Sequence, residues 1–197
     1  MARLYIISTA SPTNRNKEVG DLFEILMKKV LDKLGYKSTD VGRQVRRAGI
    51  EIDVEGENKT YSDRHFWAEC KAQKDPVNQT EIGNFWAKVE PKRAKQKKLN
   101  IDLRGLFFSS SGLTGGAKGY YKENFEEVPG RQNLLKVYSE NELVDLVCGT
   151  LNIPKQDTIG YNLPSEFSRF IIGDKKLLYT KYGFYWLVLI ISQSSFG

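Results

Sequence analysis

Two short runs of alternating residues, close together in the chain, constrain the fold more than any other feature of this sequence. Ile50, Ile52 and Val54 alternate with Glu51, Asp53 and Glu55, the period of two that places apolar groups on one face of a strand and acids on the other. A polar turn is expected over residues 56–64. The alternation then resumes, with Phe66, Ala68, Cys70 and Ala72 on one face and Trp67, Glu69 and Lys71 on the other. Two such strands at hairpin distance share one acidic face and need cover for their apolar face.

The flanking sequence supplies helices for that cover. Val19, Leu22, Phe23, Leu26, Val30 and Leu34 recur at spacings of three and four and predict a helix over residues 17–34, stopped by Gly35. Asn78 with Glu81 reads as a helix start, and Ile82, Phe85 and Val89 give its buried stripe until Pro91 interrupts it. A strand over 103–110, a helix over 114–127 and a strand over 134–138 follow. Ser139 with Glu142 forms a capping box ahead of Leu143, Val144, Leu146 and Val147. The expected order is helix, two strands, helix, strand, helix, strand, helix, an α/β fold in which helices sandwich a sheet. Residues 1–152 make one domain on this reading. Pro154, Gly160 and Pro164 punctuate a linker. Residues 153–197 then form a strand-rich extension, or the start of a second domain, in which residues 170–172 and 177–179 flank a Gly173-Asp174 turn.

Composition narrows the functional classes. Of 197 residues, 40% are hydrophobic and 27% charged, ordinary for a globular chain and wrong for disorder. One His and two Cys cannot furnish a four-ligand Cys/His zinc site. So few cysteines, with no long apolar stretch at the N-terminus, fit a reduced cytoplasmic protein. The longest apolar run, residues 184–191, is about half of the roughly 20 residues of a spanning helix; it reads as a buried strand, so no membrane partner is expected. The formal charge of +6 is concentrated. Lys88, Lys92, Arg93, Lys95, Lys97 and Lys98 fall in one stretch, and Arg43, Arg46 and Arg47 in another. Such clusters suit a polyanion, and they also suit a solvated helix face.

Asp53, Glu69 and Lys71 are the candidate chemical group. Residues i and i+2 on a strand share a face, so Glu69 and Lys71 are neighbours and Asp53 can join them across the hairpin. Two hard oxygen donors, with phosphate and water, suit Mg²⁺, and a lysine beside them can orient or deprotonate the attacking water. Other Glu-x-Lys triplets, at Glu57 and Glu90, lie in a turn and beside Pro91. Residues 112–119 are glycine-rich but lack the Gly-Lys-Ser/Thr of a nucleotide loop. His65, Trp67 and Trp86 read as strand or core residues, and Cys70 as a core filler turned away from the acids.

Five segments in order resemble the Mrr-like branch of the PD-(D/E)XK restriction-endonuclease-like superfamily. They are residues 20–24 running to Leu34-Gly35-Tyr36, residues 48–54, Ala68-Glu69-Cys70-Lys71, residues 105–112 with Ala117, and residues 134–138 with Glu142-Leu143-Val144. The resemblance implies a restriction-endonuclease-like central mixed sheet flanked by helices. It implies a Mg²⁺-dependent endonuclease acting on DNA, with Mn²⁺ able to substitute, in restriction or antiviral defence. Asp53 and Glu69 would hold the metal and Lys71 would be the catalytic lysine, with Glu24 an added acid and Gln73 near the scissile phosphate. Glu51 is a rival for the role of Asp53, and the proline of the superfamily's name is absent. The basic clusters would position the DNA backbone. A homodimer or higher oligomer, a recognition domain beyond residue 197, and a catalytically inactive binding or assembly module all stay open on sequence alone.

Overall fold

The computed structural model describes residues 4–8, 10–11, 13–41, 52–153 and 170–192. Glu51 and the Arg43, Arg46 and Arg47 cluster lie outside them. The order is β1 (Leu4–Ile6), α1 (Arg15–Lys33), β2 (Tyr36–Val41), β3 (Val54–Asn58), β4 (Arg64–Lys71), α2 (Gln79–Lys97) and β5 (Asp102–Ser109). Then come α3 (Gly115–Tyr121), a π-helical turn (Lys122–Glu126), β6 (Leu135–Ser139), α4 (Glu140–Leu151), β7 (Phe170–Thr180) and β8 (Gly183–Ser192). Five strands form the main sheet in the order β2-β3-β4-β5-β6, antiparallel from β2 to β4 and parallel from β4 to β6.

The alternation in β4 decides which core each side chain joins. Phe66, Ala68 and Cys70 pack with Phe23, Leu26, Met27 and Val30 of α1 and Val144 and Val147 of α4. Trp67 faces the other way, with Ile82, Phe85, Trp86 and Val89 of α2, Tyr121 of α3 and Phe125 of the π-helical turn. The sheet is thus covered on both faces, as the sequence predicts. Leu4 of β1 and Leu177 and Tyr179 of β7 join the α1 side, so the small β1-β7-β8 sheet shares that core.

Several boundaries differ from expectation, each for a physical reason. The supposed turn at 56–64 is strand as far as Asn58, because Gly56, Glu57 and Asn58 pair with β2, and Gly56 and Glu57 also pair with β4. A Cβ at Gly56 would lie 2.5 Å from the Lys37 carbonyl oxygen and 2.7 Å from the Phe66 ring, so only glycine lets these strands close over that ring. Neither β1 nor β2 was expected. Pro91 does not end α2: it and Ala87, whose carbonyl loses its partner, are both exposed, so water can replace the missing bond. Asn78 and Glu81 do form their capping box. Ser139 makes no capping bond, since the chain enters α4 through Glu140 at φ 48°, in the left-handed region. Gly173-Asp174 is an irregularity within one continuous strand, and the hairpin turn falls at Lys181-Tyr182.

Candidate active site

The candidate site forms where β3 and β4 diverge. Val54 pairs with Ala68 and Glu55 with Trp67, and the same register carries Asp53, just ahead of β3, to the level of Glu69. The Cys70 backbone N–H donates to Asp53 Oδ2 at 2.6 Å, which ties the acid to β4. Lys71 Nζ lies 2.6 Å from Glu69 Oε1, and Lys88 Nζ, from α2, lies 3.3 Å from Glu69 Oε2. Asp53, Glu69 and Lys71 are therefore brought together as the sequence predicts.

Electrostatics sharpen the picture. Burial, and then the neighbouring Glu69 charge, push the Asp53 carboxyl up from 3.8 to about 6, against the Cys70 N–H and the Lys71 and Lys88 charges that lower it. Burial presses the Lys71 ammonium down, but the hydrogen bond to Glu69 and the charges of Glu69, Asp53 and Glu81 outweigh it and hold Lys71 above its ordinary 10.5. Lys71 thus keeps its proton at neutral pH. Burial first, then the Asp53, Glu24 and Glu69 carboxylates, push the Cys70 thiol far above its usual range, which leaves it a neutral core side chain.

The remaining candidates sort by face. Glu24, half-buried on α1, bears on Cys70. Gln73 donates to the Asp75 carbonyl at 3.1 Å and to Glu81 Oε2 at 3.4 Å, which fixes the strand exit against the α2 N-terminus. Ser110 N–H donates to the Lys71 carbonyl at 3.1 Å and Ser111 Oγ to the Asp75 carbonyl at 2.8 Å, lacing the next strand's end to the same corner. Within the basic stripe, Lys95, Lys97 and Lys98 are exposed, whereas Lys92 lies 6.0 Å from the centre of the Trp67 ring and Arg93 Nε is buried. Trp67 itself is buried and donates to Glu55 Oε2 at 3.2 Å. Lys88 belongs to the acid cluster, which sequence reasoning missed; its spacing of seven from Glu81, two turns along one helix face, was the available signal.

A five-stranded mixed sheet between helix pairs, with two acids and a lysine where β3 and β4 part, defines a restriction-endonuclease-like nuclease fold. Residues 16–147 match the family described as "Restriction endonuclease", its Mrr catalytic domain, and the chain belongs to that family. Among solved structures it is similar to a repair endonuclease from Pyrococcus abyssi, at 15% identity and TM-score 0.39, over 60% of this chain and 47% of that one. It is similar to EndoMS in a complex titled as containing dsDNA, at 14% and 0.40, over 60% and 45%. An XisH family protein from Nostoc punctiforme PCC 73102 is similar at 14% and 0.37, over 62% and 94%. The chain thus spans about half the length of the first two. No curated protein matches the sequence. Among the described residues, no helix is long and apolar enough to cross a membrane.

Proposed function

We propose that the protein is a divalent-metal-dependent endonuclease that hydrolyses DNA phosphodiester bonds. The observation that carries this reading is the meeting of Asp53, Glu69 and Lys71 at one end of β4, within a chain of the restriction endonuclease family. The donor set fits Mg²⁺ or Mn²⁺: two hard carboxylates at close quarters, one of them held near 6 by burial and mutual repulsion, gain most from a shared cation. Asp53 and Glu69 would hold it, and when bound it supplies Lewis-acid polarisation of the scissile phosphate.

Around that cation each side chain has a defined task. The Cys70 N–H fixes the Asp53 carboxylate, and Lys71 fixes Glu69 through its 2.6 Å contact. Because Lys71 remains an ammonium, its role is to orient the attacking water and steady the charge on the phosphate oxygens rather than to remove a proton. The water oxygen attacks phosphorus in line with the leaving ester oxygen; a new P–O bond forms as the old one breaks, the water gives up a proton to solvent, and the departing ester oxygen takes one from solvent to leave as a hydroxyl. Exposed Lys95 and Lys97 on α2, with Lys98 at its C-terminal cap, supply backbone contacts without sequence readout. Restriction of foreign DNA is the setting we infer from the family description.

The test is nicking of supercoiled plasmid with Mg²⁺ or Mn²⁺, beside EDTA and the variants Asp53→Asn and Lys71→Ala. Metal-dependent nicking that both substitutions abolish is expected. Tight DNA binding with no nicking under any condition, and no difference among variants, would identify a binding module instead.

A further inference from the structure

Glu69 is the most enclosed carboxylate of the cluster, 7% exposed, and each of its oxygens faces a different lysine. The two lysines are not equivalent. Lys71 stands two residues along the same strand face and makes the closer contact, 2.6 Å. Lys88 reaches across from α2 and stops at 3.3 Å, though both lysine side chains are equally exposed, at 32%.

The packing delivers Lys88 to this place. Lys88, Lys92 and Gln96 follow one another at single-turn intervals and run antiparallel over β4, past Glu69, Trp67 and His65. Lys92 lies over the Trp67 ring, and Lys92 and Gln96 line a pocket of about 180 Å³ with Trp67 and His65. That register, fixed by buried Phe85, Trp86 and Val89, sets Lys88 on Glu69.

A carboxylate flanked by two ammonium groups is already compensated, so a further cation meets their repulsion, and moving one of them aside relieves it. The longer contact, which Lys88 makes from a separate element, is the one that yields. Resting on the metal-dependent reading above, we propose that Lys88 competes with the divalent cation for Glu69. It is a positioning residue: it holds the Glu69 carboxylate in place and sets how tightly the site takes metal. It therefore belongs to the acid cluster rather than to the phosphate-contacting stripe of α2.

The experiment is a calorimetric titration of the whole chain with MnCl₂, without DNA, for wild type, Lys88→Gln, Lys88→Arg and Asp53→Asn. Removing the competing charge in Lys88→Gln should tighten Mn²⁺ binding by about three- to tenfold, while Lys88→Arg stays close to wild type. A purely structural ion pair would instead lower the melting temperature of Lys88→Gln and leave its Mn²⁺ affinity unchanged. Unchanged or weaker affinity in Lys88→Gln overturns the proposal, and if Asp53→Asn has meanwhile lost binding, the metal site itself stands. Should Lys88→Gln fail to fold, tighter binding in Lys88→Met supports the proposal and wild-type affinity overturns it. No Mn²⁺ binding by any variant, wild type included, brings down both readings.

Discussion

Replacing Asp53 by Asn should make the protein more stable while abolishing the proposed chemistry. The Asp53 carboxyl is raised from 3.8 to about 6, so the folded state holds its proton more tightly than the unfolded chain does. Between those two values the native state binds more protons, and stability falls as pH rises through the window. At roughly 1.4 kcal/mol per pKa unit the full step is about 3 kcal/mol, lost between pH 3.8 and about 6. Asn is neutral at every pH and keeps an oxygen for the Cys70 N–H, so it escapes that loss. Allowing for relaxation around the charge, we expect Asp53→Asn to gain about 2 kcal/mol at pH 8, or about 4–8 °C in melting temperature for a chain of this size. At pH 3.5 the two proteins should melt together. The assay is thermal unfolding by circular dichroism in EDTA across this range. Equal melting at pH 8, or a variant less stable than wild type, would refute the account of Asp53 as an ionised acid held against burial and the Glu69 charge. Adding Mn²⁺ should then raise the melting temperature of wild type and leave Asp53→Asn unmoved.

Further outcomes follow from other parts of the structure. Lys95→Ala on α2 and Lys98→Ala at its C-terminal cap, both exposed, should each reduce the slope of log affinity against log salt for duplex DNA by about 0.9, read by fluorescence anisotropy; an unchanged slope would remove them from the interface. Gly56→Ala should cost about 2–3 kcal/mol in urea unfolding, because its Cβ meets the Lys37 carbonyl and the Phe66 ring, and a neutral result would contradict the tight β2-β3 closure.

Much of the fold was legible because it rests on local periodicity. The apolar spacing of α1, the Asn78-Glu81 cap, and the alternation of Phe66, Ala68 and Cys70 with Trp67, Glu69 and Lys71 each state which face must be buried. β2 was hidden because its middle residues, Lys37-Ser38-Thr39-Asp40, show no alternation, and it is strand only because β3 pairs with it. Gly56-Glu57-Asn58 has the composition of a turn and is held extended by pairing with β2, and at Gly56 and Glu57 with β4 as well. Pro91 reads as a helix end until its exposed position shows that the lost bond can be met by water.

For the candidate site the division is similar. The sequence by itself determined that Glu69 and Lys71 share a face, since that follows from the pleat of one strand. It also predicted Asp53 on the polar side of a neighbouring strand, whereas Asp53 stands just ahead of β3 and the alternation breaks there, Ile52 joining the Trp67 core and Val54 the Phe23 core. Only the tertiary structure decided that β3 and β4 align so that the Cys70 N–H holds Asp53, and that α2 crosses with Lys88 over Glu69. Residue spacing along one element is fixed by backbone geometry. The register between elements is fixed by how buried side chains such as Phe85, Trp86 and Phe66 fit together, and no local pattern encodes that fit.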